Sequence, residues 1–173
     1  MARLVVLLLL GWCSLAAPAA GLPARYAPMV VQPQGAPQRY EFDLSAALER
    51  AAKEHKRLYV YLGADDCPFC RKYEAFLDRS ADALVPHFAR DWIVVDLRSH
   101  LSVQADRLWF RIGGRHWGYT EFMHRLGDER ERQLVYPSVW LFDADAKPLM
   151  QMPAGTGTFE TVPEQLEILR LEQ

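Results

Sequence analysis

The sequence predicts an α/β fold with a mixed central sheet flanked by helices. Three observations predict it. Short apolar runs typical of buried strands occur at 58–63, 92–97 and 135–142. Helical spacings of apolar residues separate these runs, in the order α-β-α-β-(α)-β-β-α. The chain has 173 residues, 50% of them hydrophobic, which suits one domain with a substantial core.

The first twenty residues, MARLVVLLLLGWCSLAAPAA, have the composition of a secretory signal peptide. A cation near the start precedes an apolar run over 4–10, and APA at 17–19 matches the small-residue cleavage rule. The run is shorter than the roughly 20 residues that a membrane-spanning helix requires, although a retained anchor is the alternative. We therefore expect export of the mature chain. The chain ends in LEQ rather than in an ER-retention signal, which favours a periplasmic location.

Residues 21–41 are predicted to form an extended arm or linker, because four prolines and two glycines occur within 21–40. The domain itself is predicted to cover 42–173. Its first helix is expected to follow Asp43, a residue type that favours the N-cap position. The net charge of −2, with mixed signs, gives no electrostatic reason to expect nucleic acid as a partner.

The segment 99–134 has the least regular pattern in the chain. We expect a helix in SVQADRLWFRI, a loop in GGRHWG, and a second helix in YTEFMHRLGDERERQL with a break at Gly127. The apolar strand at 135–142 follows, interrupted near its start by Pro137, and a hairpin partner is predicted at 148–152. The last predicted helix is PEQLEILRLEQ.

Two of the three cysteines, Cys67 and Cys70, are separated by two residues in the run ADDCPFCRKY. Cys13 belongs to the predicted signal peptide, so the mature chain would keep only this pair. An oxidising compartment favours disulfide formation, but a bridge over so short a loop adds little stability. Three alternatives follow: a redox-active dithiol, half of a metal site, or an inert structural disulfide.

The position of the pair relative to the predicted elements favours the redox alternative. CPFC follows the strand at 58–63 and opens a helix whose first position is Pro68, where proline is tolerated. Unpaired N–H groups and the helix dipole stabilise a thiolate at a helix N-terminus. We expect Cys67 to be the exposed nucleophile and Cys70, one turn into the helix, to be the resolving thiol. Phe69, between them, is expected to be partly exposed and to contact substrate.

A copper or zinc carrier is the second hypothesis. No third cysteine remains in the mature chain, so histidine would have to complete a site with Cys67 and Cys70. Each histidine alone is more typical of a surface or packing residue. The candidates are His87, His100, His116 and His124. The third hypothesis is a redox-inert interaction domain.

Two segments resemble the thioredoxin superfamily: CPFC after the strand YVYLGADD, and Tyr136-Pro137-Ser138 in an apolar strand before a hairpin. The resemblance covers roughly 42–172 and is strongest to exported thiol–disulfide oxidoreductases. It implies a thioredoxin-like fold in which Pro137 is cis and lies against the dithiol, and Tyr136 offers backbone groups to a substrate strand. It also implies protein disulfides as substrates, a redox partner such as a membrane electron donor, and no dissociable cofactor.

Three features depart from the family pattern. Asp66 precedes the first cysteine where thioredoxins carry tryptophan, and Tyr61 stands where they keep a buried acid. The stretch between Cys70 and Pro137 is longer than in a minimal thioredoxin, which predicts an enlarged segment at about 99–125. These differences leave the dithiol chemistry intact and the substrate open. The lack of a histidine between the cysteines favours a reductase or isomerase over an oxidase.

Overall fold

The computed structural model describes residues 20–35, 38–127, 133–152 and 160–170. The predicted signal peptide, apart from Ala20, lies outside this part of the chain. Within it, no helix is both long enough and apolar enough to cross a membrane. In chain order the elements are β1 (Met29–Val31), β2 (Tyr40–Asp43), α1 (Ser45–Glu54), β3 (Arg57–Ala64), α2 (Pro68–Arg79), α3 (Ala81–Asp91), β4 (Trp92–Ser99), β5 (Leu108–Ile112), β6 (Arg115–Gly118), α4 (Tyr119–Arg125), β7 (Ser138–Phe142), β8 (Pro148–Met152) and α5 (Val162–Arg170).

The main sheet has five strands in the order β1-β4-β3-β7-β8. β1 and β3 run parallel to β4, whereas β7 runs antiparallel to both β3 and β8. The predicted α/β architecture with a mixed sheet flanked by helices is therefore confirmed. A second sheet of three strands, in the order β2-β5-β6, packs beside it.

The central strand β3 is buried on both faces, which explains its continuous apolar sequence. Successive side chains of a strand point to opposite faces. Leu58, Val60 and Leu62 accordingly join the apolar cluster that contains α1, α4 and the second sheet. Tyr59 and Tyr61 join the opposite cluster, which contains α2, α3 and α5. The sheet thus separates two cores, and the start of α2 lies at the end of the strand between them.

The segment 99–125 differs from the sequence prediction. The helix expected in SVQADRLWFRI is wrong, because this stretch contains the strand β5, and the expected loop GGRHWG contains β6. Leu108 and Phe110 are fully buried while their neighbours are only partly buried, which is a period of two rather than of 3.6 residues. Gly113 and Gly114 both have positive φ (57° and 74°), which allows the tight hairpin turn between the strands.

The first part of the helix predicted in YTEFMHRLGDERERQL is confirmed as Tyr119–Arg125, which ends before Gly127, whose φ of 72° is left-handed. The continuation at 128–132 lies outside the described residues. Asp43 is not the N-cap of α1, because it is the last residue of β2 and the N-cap is Leu44. Its carboxylate still accepts a hydrogen bond from the Ser45 N–H at 3.0 Å. The sequence therefore indicated the hydrogen bond correctly and the boundary incorrectly.

The segment predicted as an arm or linker packs on the domain. Met29–Val31 forms the edge strand of the main sheet. Leu22 and Tyr26 are buried, and the Tyr26 hydroxyl donates a hydrogen bond to the Leu77 carbonyl at 2.9 Å. The prolines of this segment keep it extended without preventing its attachment.

We expect Phe110→Ala to lower the free energy of unfolding by about 3–5 kcal/mol, as is usual for a large buried aromatic residue. The Phe110 ring centroid lies 4.3 Å from that of Phe122 and 5.7 Å from that of Trp140, so the ring joins the second sheet to the main sheet. Urea denaturation would measure the loss. Leu101→Ala, at an exposed position, is the control and should cost far less; equal losses would contradict this packing role.

Candidate active site

The sequence CPFC adopts the predicted helix start. Cys67 is the N-cap of α2 with an extended backbone, and Pro68 occupies the first turn. The Cys67 Sγ accepts a hydrogen bond from the Cys70 N–H at 3.1 Å. The thiol therefore takes the position that a Ser or Asp oxygen takes in an ordinary N-cap, where negative charge is favoured.

Both thiols are buried, and both are free. The exposed fraction is 2% for Cys67 and 0% for Cys70. The expectation that Cys67 would be exposed is therefore wrong. The reason is that the start of α2 packs into the same apolar cluster as Val103 and Tyr136, which come from more distant parts of the chain.

Burial raises the pKa of Cys70 to about 12. The Ala64 N–H, whose nitrogen lies 3.5 Å from the Cys70 Sγ, lowers this pKa, and the neighbouring Cys67 raises it. The Tyr61 hydroxyl also lowers it. Cys70 is consequently a protonated thiol at neutral pH and needs a proton acceptor before it can react.

The Tyr136–Pro137 peptide bond is cis, and both residues are buried. Ser138 pairs with Leu62, so these two residues lie beside the end of β3, from which the loop to Cys67 departs. The Tyr136 hydroxyl hydrogen-bonds with the Ser99 Oγ at 2.9 Å. Burial raises the pKa of Tyr136 to about 12, and the nearby thiols contribute to the rise.

Phe69 is 53% exposed between the two cysteines, which confirms the expected partial exposure of its side chain. Leu101, at 48%, is a second exposed apolar residue in this region. Its N–H donates to the Asp66 carboxylate at 2.8 Å, which holds the turn after β4 beside the residue preceding Cys67. An exposed apolar side chain therefore occurs on each of the two chain segments that this hydrogen bond joins.

A buried ionic cluster, which sequence analysis missed, lies at the same end of the sheet. Arg98 is 4% exposed, and its Nη1 lies 3.3 Å from the Glu74 Oε1 and 3.2 Å from the Asp96 Oδ1. It also pairs with Asp65, two residues before Cys67. The available signal was the pair Asp96 and Arg98, which interrupts an otherwise apolar strand with one charge on each side of Leu97.

Burial and neighbouring charges shift the pKa values of two members of this cluster, Asp96 and Arg98. Burial raises the pKa of Asp96, although the Leu22 N–H and Arg98 lower it. For Arg98, burial lowers the pKa, but the carboxylates of Asp96 and Asp65 outweigh burial and raise it. The guanidinium therefore stays charged inside the protein.

The four candidate histidines are placed on different elements. His87 lies on α3, His100 follows β4, His116 lies on β6 and His124 lies on α4. The His116 Nδ1 hydrogen-bonds with the Glu41 carboxylate at 2.9 Å. Across the described ranges, no group of three or more His, Cys, Asp or Glu residues is arranged to hold a metal ion.

No protein-family model matches the chain, and no curated protein gives a significant match. Its function is therefore inferred from the residues and the geometry of the site.

Replacing Arg98 by Ala should lower the free energy of unfolding by about 3–5 kcal/mol, because buried carboxylates would lose their counter-charge. Urea denaturation followed by circular dichroism would measure it. Arg90→Ala is the matched control, since Arg90 pairs with Asp91 at the exposed end of α3 and should change stability little. A small effect of Arg98→Ala, similar to that of the control, would contradict the role of Arg98 as the buried counter-ion.

The single thiol of Cys67→Ser should be alkylated slowly, because Cys70 is buried and protonated. Below its pKa, the rate should rise about tenfold per pH unit, in step with the thiolate fraction. Iodoacetamide labelling followed by mass spectrometry would measure it between pH 7 and pH 9. In guanidinium chloride, Cys70 of the unfolded Cys67→Ser variant should react as fast as Cys67 of the unfolded Cys70→Ser variant. Fast labelling of native Cys70 that does not depend on pH would contradict the raised pKa.

Proposed function

We propose that the chain is an exported thiol–disulfide oxidoreductase of thioredoxin fold that reduces or isomerises protein disulfides. The observation that carries this proposal is the geometry of the dithiol. Cys67 caps α2 directly after the central strand, and its Sγ accepts a helix N–H, while Cys70 lies one turn further in without solvent exposure. This asymmetry assigns different roles to the two thiols.

The reaction consists of two exchanges. The Cys67 thiolate attacks one sulfur of a substrate disulfide, forming a mixed disulfide and releasing the other substrate sulfur as a thiolate, which takes up a proton. Cys70 then loses its proton and attacks the Cys67 Sγ, which releases the second substrate thiolate. The substrate is reduced to two thiols, and the protein is oxidised to the Cys67–Cys70 disulfide.

Several features support the thioredoxin assignment. The described chain has a mixed sheet with helices on both faces and a helix that opens with the dithiol after the central strand. Pro137, in the segment that resembles the thioredoxin superfamily, follows a cis peptide bond and directly precedes β7, the strand beside β3. The enlarged segment before it forms β5, β6 and α4.

A substrate would bind at the end of β3. The backbone of Tyr136 and Pro137 would present hydrogen-bonding groups to an extended substrate segment, as a strand edge does. The exposed Phe69 ring would contact apolar residues of that segment. Since Cys67 is nearly inaccessible in the free protein, the substrate disulfide must be brought close by this docking before attack.

The dithiol itself holds the two electrons, so the reaction requires no dissociable cofactor. The exported protein would work in an oxidising compartment. It therefore needs an electron donor to regenerate the dithiol, for which a membrane protein is the class we propose.

The reduction potential of the Cys67–Cys70 pair tests the function. After equilibration in dithiothreitol or glutathione buffers, we expect a value between about −180 mV, typical of an isomerase, and about −270 mV, typical of a reductase. A value near about −120 mV would instead indicate a donor of disulfides. A value below about −300 mV, or no exchange, would indicate a structural bridge and would refute the proposal.

Cys70→Ser supplies a matched control in cells. It should accumulate mixed disulfides with substrate proteins through Cys67, because resolution is blocked. Cys67→Ser should accumulate none. Equal amounts of trapped protein from the two variants would contradict the assigned roles.

A further inference from the structure

The buried ionic cluster around Arg98 carries more negative than positive charge. Three carboxylates pair with its guanidinium, those of Asp65, Glu74 and Asp96. Among the described residues, one further cation joins the cluster: the Arg71 Nη1 lies 3.2 Å from the Glu74 Oε2. Three carboxylates therefore share two guanidiniums. Because a buried charge is costly unless it is paired, the excess negative charge requires an explanation.

Asp96 is the most deeply buried of these carboxylates. Its side chain is 2% exposed, compared with 8% for Glu74 and 43% for Asp65. The Asp96 Oδ1 lies 3.2 Å from the Arg98 Nη1, which also pairs with Glu74. The Asp96 Oδ2 accepts a hydrogen bond from the Leu22 N–H at 2.9 Å. This carboxylate is therefore stabilised by one shared cation and one uncharged donor.

The N-terminal segment, residues 20–35, begins beside this carboxylate. A Cβ at Gly21 would lie 2.7 Å from the Asp96 Oδ2 and 3.4 Å from the Arg98 Nη1. The backbone at Gly21, whose φ is 128°, thus lies directly against the cluster. Ala20 precedes Gly21 by one peptide bond, so its nitrogen lies within about 5 Å of the Gly21 Cα.

A cavity of about 600 Å³ lies between the N-terminal segment and the cluster. It is lined by Ala20, Asp65, Asp96 and Arg98. The other lining residues lie within 22–32 and have uncharged side chains. Two carboxylates and one guanidinium therefore set the charge of the cavity, and a cation at its Ala20 side would meet a net negative lining.

The predicted signal peptide ends at this cavity. The APA sequence at 17–19 predicts cleavage between Ala19 and Ala20. Hydrolysis of this peptide bond consumes one water molecule: Ala19 leaves with a carboxylate, and the Ala20 nitrogen becomes an amine that takes up a proton near neutral pH. Before cleavage this nitrogen is an uncharged amide with one hydrogen to donate. After cleavage it is a cation with three.

We propose that removal of the signal peptide after Ala19 supplies a further cation to this cluster, because the freed ammonium group of Ala20 pairs with Asp65 and Asp96. The inference rests on the proposed export of the chain and is independent of the dithiol reaction. A signal peptidase catalyses the hydrolysis. With the ammonium group in place, three cations balance three carboxylates. The pairing is available only to the processed chain, so it fixes the N-terminal segment on the domain after export.

Covalent attachment favours this amine over a dissolved cation. A group held by a short tether has an effective concentration in the millimolar range at its site. The Leu22 N–H bond to Asp96 already holds the tether in place two residues from the new terminus. The additional ordering that the pairing requires is therefore confined to the Ala20 residue itself.

The test compares the chain that starts at Ala20 with the same chain preceded by Gly-Ser. Both contain every described residue, and both are released from a fusion by a protease that leaves the chosen first residue. The extension moves the ammonium group by two residues, about 7 Å, and leaves an amide at Ala20. In urea denaturation at pH 7, the unfolding equilibrium constant of the extended chain should be about tenfold larger, the usual scale for a hydrogen bond between charged groups.

The pH dependence of this difference identifies the amine. Neighbouring carboxylates should raise the pKa of the folded amine above its ordinary value of about 8. Stabilisation by such a group is complete below the unfolded pKa and is lost as the pH rises through the folded pKa. The difference should therefore be constant from pH 6 to pH 7 and disappear towards pH 10. The other charged groups of the cluster are the same in both chains, so their titration cancels: Asp65, Glu74, Asp96, Arg71 and Arg98.

Asp65→Asn and Asp96→Asn each keep an acceptor oxygen and remove one negative charge. In both variants the Gly-Ser extension should cost less than in the wild type. Asp66→Asn is the matched control, because Asp66 adjoins Asp65 but its carboxylate accepts the Leu101 N–H. In this control the extension should keep its full effect. An extension that has no effect in the wild type, or the same effect in all three variants, would overturn the proposal.

The first residue of the exported protein gives a second test. The full chain is secreted from a bacterial host, and its intact mass should correspond to residues 20–173. A different first residue would overturn the pairing. A protein that retains residues 1–19 would refute export as well. The reduction potential of the Cys67–Cys70 pair, measured on the same sample, tests the oxidoreductase separately.

Discussion

The pairing of β3 with β4 on one side and β7 on the other is the constraint on which the candidate site depends. It brings the ends of three chain segments together: the loop that leads to Cys67, the end of β4 at Ser99, and the start of β7 at Ser138. The Asp65 N–H donates to the Ser99 carbonyl, which ties two of these ends together. Because the strand is buried on both faces, this end of the sheet cannot shift without disturbing both cores.

Burial affects the two thiols and the neighbouring ionic cluster in different ways. It shields both thiols from solvent and keeps Cys70 protonated at neutral pH, because burial raises the pKa of this thiol. It also strengthens the ionic cluster around Arg98, whose carboxylates would be costly to bury alone. The Glu74 carboxylate belongs to this cluster and also accepts a hydrogen bond from the Tyr61 hydroxyl at 3.0 Å.

The pattern of the sequence was sufficient where local signals were strong. The strands at 58–63 and 92–97 were predicted from their continuous apolar runs, and the start of α2 from Pro68 and the spacing of apolar residues after it. In β5, by contrast, Trp109 and Phe110 gave no clear period, and only pairing with β2 and β6 makes that segment a strand. The pairing partner β2 is more than sixty positions earlier in the chain, so no local window contains it.

The sequence by itself determined that a C-x-x-C dithiol opens a helix after a central strand, because proline, cysteine and apolar spacing act over a few residues. Only the tertiary structure decided how that dithiol is surrounded. Cys67 is buried rather than exposed, and Glu74, Tyr61 and Arg98 meet behind Cys70, although they lie on a helix and two different strands. The physical reason is that burial and ion pairing depend on which surfaces pack together, which is set by contacts between residues distant in sequence.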